Sequence, residues 1–479
     1  MKPMAPKLQP IARLATLSLA LAAAFPALAQ SNADLLNERK ALKERVLELE
    51  KKLKAAPAAP AAPAAGQWGM TPEQVRELNR VAVKAEALQD SLADQGFKGL
   101  KITGQMDPTW IYNRAQNSGS FVFLNNGDAR YTYDNSYFGM AVIDFEKETD
   151  SGVKWKLTLA PERGTGALFN GGSILHEASV SLPLGDLQTR LWLGQIPDWT
   201  GYEITLPAGN KLITHNLLFD TMAPTAYTGA VLDLKDGKWW VRVGLANMNS
   251  ARYTSGNNQP ALIYRVDYSK GEFSGWGFSG LHGKAANFAA DGSYFTVDPV
   301  TGESVENFFA AAGKNTKMNL LEVDAYFIRG DWTLLGQASY GSQSGAAIYN
   351  SDGVLRDAKW WGLSGTMAYK FTPRLEGIAR ADYVNNKRNG GGLLGYSFDD
   401  GINGIGRGLD ADGNFAKGES VGANRYALSL GLNYVFDENT NFKVEYRYDA
   451  ADQPVFVNAS RGDYRKSNQL FVASVVVRF

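Results

Sequence analysis

Charged residues recur at every second position in several short segments of this chain, with apolar residues between them. Lys443, Glu445 and Arg447 alternate with Phe442, Val444, Tyr446 and Tyr448. Arg190 sits beside Leu191 and Leu193 with Leu187 upstream, Arg242 among Trp239, Val241, Val243 and Leu245, and Arg425 before Tyr426, Leu428 and Leu430. A period of two puts all the charges on one face of a pleated strand and all the apolar groups on the other. The same reading assigns Lys154, Lys156, Arg265, Glu322, Asp324, Arg374 and Arg380 to the polar face, with Asp186, Asp233, Asp267, Glu376 and Asp382 among them. Facing water inside a closed wall, such groups would set up a transverse field that orients hydrated solutes where acid and base segregate to opposite walls. Opposite signs on neighbouring strands also pair and stiffen the wall. The mixture of signs argues against a filter of one charge.

Catalysis finds little to work with. The three histidines are His176, His215 and His282, and none has an orienting partner at readable spacing. No serine elbow, paired zinc-binding histidines or phosphate loop occurs, so no enzymatic activity, metal or cofactor is expected. Lys plus Arg equals Asp plus Glu, 49 against 49, which argues against a nucleic-acid partner. The chain has no cysteine, so disulfides and thiolate metal sites are excluded.

The elements that must position the charges begin at Gly99. Sixteen candidate strands follow, at 99–112, 135–148, 152–161, 173–183, 186–196, 226–235, 238–248, 260–269, 272–284, 317–329, 332–342, 358–371, 374–385, 423–436, 440–450 and 467–479. Every second connection is tight, as at Leu184-Gly185, Lys270-Gly271, Gly330-Asp331 and Thr372-Pro373. The others run long: 113–134, 197–225, 285–316, 386–422 and 451–466. This alternation is expected of an all-β transmembrane antiparallel barrel, with short periplasmic turns and longer external loops. In hydrocarbon every backbone amide must be paired, and closure is how strands achieve it. About sixteen strands leave a water-filled interior, whereas eight would nearly fill theirs with side chains.

Upstream, Lys2, Lys7 and Arg13, an apolar run from Leu14 to Leu28 and Ala27-x-Ala29 make residues 1–29 an export signal. Leu35, Leu42 and Leu49, with Val46 and Leu53, give residues 30–54 a heptad rhythm, expected to form a short periplasmic coiled coil that needs partner chains. Residues 55–70, with Pro57, Pro60 and Pro63, are an Ala/Pro-rich linker. Thr71-Pro72-Glu73-Gln74 starts a periplasmic helix within 71–95, and the barrel occupies 96–479.

The loop 197–225 is unusually apolar, with Ile204, Leu206, Leu212, Ile213, Leu217, Leu218, Phe219 and Met222. It is expected to pack inward and to bring Glu203, Lys211, His215 or Asp220 to the narrowest point. Asp410-Ala411-Asp412-Gly413-Asn414 has the opening of a calcium loop but lacks glycine at the sixth position, so it reads as a hydrated turn.

The terminal Phe479, the coiled-coil extension and the run Gly201-Tyr202-Glu203, Asn210, Leu217-Leu218-Phe219, Pro224 and Thr228-Gly229 resemble proteobacterial outer-membrane porins of the sixteen-stranded class. The resemblance covers about residues 99–479. It implies a homotrimer in the cell outer membrane, in contact with lipid and lipopolysaccharide. It also implies that the barrel-assembly machinery recognises Phe479 and that the third external loop folds into the pore. The expected function is passive diffusion of small hydrophilic solutes; the alternatives are a substrate-specific porin for organic acids or small saccharides, and a structural or adhesive barrel.

Overall fold

The computed structural model describes residues 71–94, 96–124, 138–160, 174–224, 226–248, 260–286, 295–297, 304–306, 315–347, 357–386, 401, 404–410, 412–414, 416 and 421–479. The expected export signal, coiled coil and linker lie outside the described residues, as does most of the loop 386–422. The chain forms two units, residues 1–92 and 93–479. In the first, α1 (Pro72–Asp94) opens with a reciprocal cap: Gln74 N–H donates to Thr71 Oγ1 at 3.3 Å, and Thr71 N–H to Gln74 Oε1 at 2.9 Å.

The second unit is a sheet that closes on itself. Its first strands are β1 (Leu100–Met106), β2 (Thr109–Asn113), β3 (Ser118–Val122), β4 (Ala141–Glu148) and β5 (Lys154–Leu159). Next come β6 (Leu175–Pro183), β7 (Thr189–Pro197), the short helix α2 (Leu217–Met222), β8 (Ala226–Asp236) and β9 (Trp239–Met248). Then follow β10 (Ala261–Ser269), β11 (Ser274–Ala286), β12 (Phe295–Val297), β13 (Ser304–Glu306), β14 (Asn315–Arg329) and β15 (Trp332–Gln343). The chain ends with β16 (Ala358–Lys370), β17 (Leu375–Asn385), β18 (Arg425–Val435), β19 (Thr440–Ala451), β20 (Phe456–Val457), β21 (Tyr464–Arg465) and β22 (Ser467–Arg478). Eighteen of these share one antiparallel sheet; β12–β13 and β20–β21 are separate hairpins.

The alternation read from the sequence is present and runs inside out relative to a water-soluble protein. On β18, Leu430 is 52% exposed and its neighbour Ser429 0%. On β19, Phe442, Val444, Tyr446 and Tyr448 are exposed while Lys443, Glu445, Arg447 and Asp449 are buried. Rows of exposed leucine and aromatic side chains over buried charges suit a wall that meets lipid.

One region departs from expectation. The sequence suggested a single first strand over 99–112, a long loop over 113–134 and a strand from 135. Instead β1 and β2 are two halves of one wall position, both pairing with β22. Their partners β4 and β3 make up the next position, so eighteen strands fill sixteen places around the ring. The break has a local cause. Pro108 has no N–H for the ladder, and Asp107 beside it accepts the amides of Gly139 and Met140, each at 2.7 Å. Beyond Val122, Leu124 N–H donates to the Gly139 carbonyl at 2.8 Å, and the φ of 70° at Gly139 and its close approach to the Val122 carbonyl exclude a side chain there.

The ring shuts where its last residue meets its first strand. Gly104 and Phe479 exchange both backbone bonds, N–H to O at 3.0 Å in each direction, and the Phe479 ring covers Gly104 where a Cβ would stand. This seam makes a prediction. Deleting Phe479, or Gly104→Leu, lowers the yield of barrel that resists unfolding by SDS without heating. Unchanged yield in both variants would show that the seam is dispensable.

Candidate functional site: an inward strap clamped to the barrel wall

Between β7 and β8 the chain turns inward as a strap, residues 198–224. It contains a tight helical turn at Pro207–Gly209 and then α2, capped where the Asn216 side chain accepts the Phe219 amide at 2.8 Å. Of the apolar residues that suggested inward packing, Leu212, Ile213, Leu217, Leu218, Phe219 and Met222 are buried, whereas Ile204 is exposed. The strap seats on the inner wall through two glycines. Leu212 occupies the space over Gly431 on β18. Leu218 and Met222 of α2 lie over Gly362 on β16, 3.0 and 2.9 Å from where its Cβ would stand. A side chain at either glycine would displace the strap.

Charges on β17 and β19 then grip the strap backbone. Glu445 accepts the amides of Ile213 and Thr214, each at 2.8 Å, and the Thr214 hydroxyl at 2.6 Å. Arg380 donates to the carbonyls of Thr214 and His215 at 2.7 and 2.8 Å, and Arg447 donates to the His215 carbonyl at 2.7 Å. Arg380 also holds Glu203 at 2.9 Å and Asp382 at 3.2 Å. Arg447 pairs with Asp449 at 3.1 Å and lies 3.9 Å from Asp220. The side chains of Arg380, Glu445 and Arg447 are fully buried. Burying charge is tolerable here because bonds of opposite polarity surround each group; removing one partner strands the rest, at a cost of about 3–5 kcal/mol.

Burial pushes the Glu203 carboxyl up to about 7, against the opposing pull of Arg380 and the Asn216 amide, which it accepts at 2.6 Å. Burial pushes His215 down to about 3, so its ring is neutral, stacked on Phe219 at 4.1 Å and donating Nε2–H to the Ile204 carbonyl at 2.9 Å. Among the residues expected at the narrowest point, Glu203, His215 and Asp220 are therefore enclosed in the contact between strap and wall. Lys211 keeps 31% of its side chain exposed and pairs with Glu376 at 2.6 Å.

The residues expected to line an open interior divide in two. Beneath or beside the strap, Arg265 pairs with Asp324 at 2.8 Å and donates to the Trp199 carbonyl at 2.8 Å. Arg242 pairs with Asp267 at 3.0 Å and stacks on Trp240 and Trp199. Glu322 accepts from Ser339 and Gln337, and Lys443 donates to the Asn210 carbonyl at 2.6 Å. Arg425 holds the Gly404 carbonyl at 2.7 Å and lies over Phe456. All of these are buried rather than bathed in solvent. On the other side, Lys154 and Lys156 keep 42% and 38% of their side chains exposed, pairing with Glu148 at 3.2 Å and Glu177 at 3.0 Å. Arg190 there donates to Ser181 and the Gly152 carbonyl. Arg374 is exposed. Most of these acids and bases thus pair locally along the wall, whereas Arg190 and Arg374 have no carboxylate within ion-pair distance among the described residues.

Sequence reasoning missed the partners of these charges and an apolar layer in the half of the barrel nearer the long loops. There Tyr227, Ile263, Leu281, Leu320, Trp360 and Leu470 point inward and join Leu217, Leu218 and Met222 in one cluster. Gly362 and Gly431 carried a readable signal, as inward positions without bulk in otherwise regular rows. In the supposed calcium loop, Asp410 accepts the amides of Asp412 and Asn414 at 3.0 and 2.9 Å, a self-contained turn.

A family profile described as "Protein of unknown function (DUF3138)" matches residues 12–479, the whole barrel included. The chain belongs to the DUF3138 family. No curated relative matches it. Among solved structures it is similar to OmpT, an outer-membrane protein of Vibrio cholerae, at 11% identity and a TM-score of 0.47, covering 79% of this chain and 97% of that one. It is likewise similar to an anion-selective porin from Comamonas acidovorans, at 11% identity and 0.46, covering 79% and 99%. A third is OmpF of Salmonella typhi in complex with daunomycin, at 13% identity and 0.46, covering 79% and 97%. The closed barrel of this DUF3138 member rests on the pairing of its own strands, independently of these likenesses.

The seating of the strap predicts that Gly431→Leu or Gly362→Leu in this DUF3138 member forces it off the wall while the sheet stays closed. The expected readout is faster protease cleavage between residues 203 and 220 in the folded barrel. A strap as resistant as in the native protein would show that neither glycine is needed to hold it.

Proposed function

We propose that the chain is an outer-membrane porin: a water-filled channel through which small hydrophilic solutes diffuse down their gradients. A ring of sixteen wall positions is wider than its own side chains can fill, and such rings leave an aqueous passage. The observation that carries the reading is the asymmetry of the interior. The strap is clamped to one wall and touches the long-loop end of β4 and β5 through Phe219, while Lys154, Lys156 and Asp144, nearer the short turn of the same two strands, keep part of their charged surface free. The strap narrows the passage, and the free charges on the short-turn side of it form part of the rim.

The same proposal places the chain in the cell outer membrane after export, as a homotrimer whose N-terminal stalk stands in the periplasm. Its outer wall would meet lipid and lipopolysaccharide, and Phe479 would be read by the assembly machinery before it closes the seam. Passage needs no cofactor and no catalytic group. A specific porin for organic acids is the second reading, favoured by a cation-rich recess at the short-turn end of the barrel.

Planar-bilayer recording tests the channel directly. Purified, folded protein should insert in discrete conductance steps that scale with salt concentration, and Lys156→Glu should shift the reversal potential toward cation preference. Folded barrels that never conduct would refute passage. A reversal potential unmoved by Lys156→Glu would remove the β5 wall from the path.

A further inference from the structure

The strap leaves two adjoining recesses at the short-turn end, one on each side of the segment 207–212. The first, of about 260 Å³, is walled by an inner row that crosses four strands. Lys370 on β16 faces Glu376 on β17, which faces Asn433 on β18, which faces Lys443 on β19. Lys211 from the strap and Arg374 from the β16–β17 turn complete the lining, giving four cations against the single carboxylate of Glu376. That carboxylate is already engaged by Lys211 at 2.6 Å. Lys443 is engaged by the Asn210 carbonyl, and the neighbouring Arg478 by that of Ala208, both at 2.6 Å. Lys370 and Arg374 are exposed and hold no side-chain partner among the described residues. Uncompensated positive charge remains where the barrel opens.

The second recess, of about 360 Å³, shares Lys211 and Lys370 with the first. Its other walls combine the apolar surfaces of Tyr326 and Ile328 of β14, Leu335 of β15 and Leu212 of the strap with the hydroxyl groups of Tyr202, Thr333 and Thr366. Its one acid, Glu203, has its carboxylate bound by Arg380 and the Asn216 amide. A hydrated inorganic ion would use only the first recess, and a neutral apolar solute only the second. A molecule with an anionic head and an apolar body uses both, because Lys370 stands at their junction.

We infer that these recesses form one binding site for a small organic acid, its carboxylate between Lys370 and Arg374 and its hydrocarbon or aromatic body against Tyr326, Ile328 and Leu335. The site deepens the channel reading and rests on it, since it lies at the mouth of the proposed passage. Titration calorimetry on the folded full chain in detergent tests it without requiring conductance. Benzoate should bind saturably and more tightly than either inorganic phosphate or benzyl alcohol. The double variant Lys370→Gln/Arg374→Gln should lose at least about tenfold in benzoate affinity. Both positions are exposed, so the variant should keep native resistance to SDS, which checks its fold. Three results would overturn the site: no saturable heat with benzoate, equal affinity for phosphate or benzyl alcohol, or an unchanged affinity in the double variant. A barrel that binds benzoate but never conducts would keep the site and end the channel.

Discussion

The structure depends on a backbone that has nowhere to leave an amide unpaired. A strand facing hydrocarbon has no water to bond, and an open edge there would cost several kcal/mol for each orphaned group. Closure satisfies this constraint, and the Gly104–Phe479 seam is where it is met, with reciprocal bonds between the first strand and the last residue. Once the sheet is shut, side chains have only two faces to choose between. Leucine, valine and aromatic residues cover the outside, and the inside takes arginine, lysine and carboxylates together with the apolar layer around α2.

The inner face then faces its own electrostatic problem. Charges set close together in a narrow interior must be solvated by something, and here a polypeptide segment does much of it. Glu445 reads two amides of the strap while Arg380 and Arg447 read the carbonyls that follow. The arrangement resembles a substrate clamp whose ligand is the protein's own backbone. Its polarity fixes the direction of the strap, and the glycines 362 and 431 fix its distance from the wall. The apolar cluster around α2 runs on to Ile111 of β2, Val122 of β3 and Tyr227 of β8, and Phe219 reaches Val142 on β4, so the strap bears on both sides of the barrel at the level of the long loops.

Much of this was legible because the barrel writes a local code. From Tyr426 to Tyr434 large apolar residues alternate without a break with the small or polar Ala427, Ser429, Gly431 and Asn433, and β18 follows this residue by residue. The tight turns were equally plain, since Gly237, Gly271 and Gly330 take positive φ at the tips of hairpins. The split of the first two wall positions was not legible: Asp107–Pro108 marks a break, but only folding shows that Gly139 returns to it. The partners of the strap were hidden for a similar reason. Glu445 meets Thr214 across 231 residues of chain, and Arg380 meets Glu203 across 177, separations at which no spacing rule operates. Alternation says that Arg380 and Arg447 face inward; it does not say whether water or a loop awaits them there.

The central claim is that water reaches the β5 charges around Lys156 and not the clamped wall beneath the strap. The absence of cysteine from the natural chain makes this directly measurable by placing one thiol at a time and following its reaction with a small, membrane-impermeant reagent in the folded barrel. The account predicts rapid labelling of Lys156→Cys and strong protection of Ser429→Cys, which lies 0% exposed under the strap. Equal labelling of the two, or an inert Lys156→Cys beside a reactive Ser429→Cys, would contradict it.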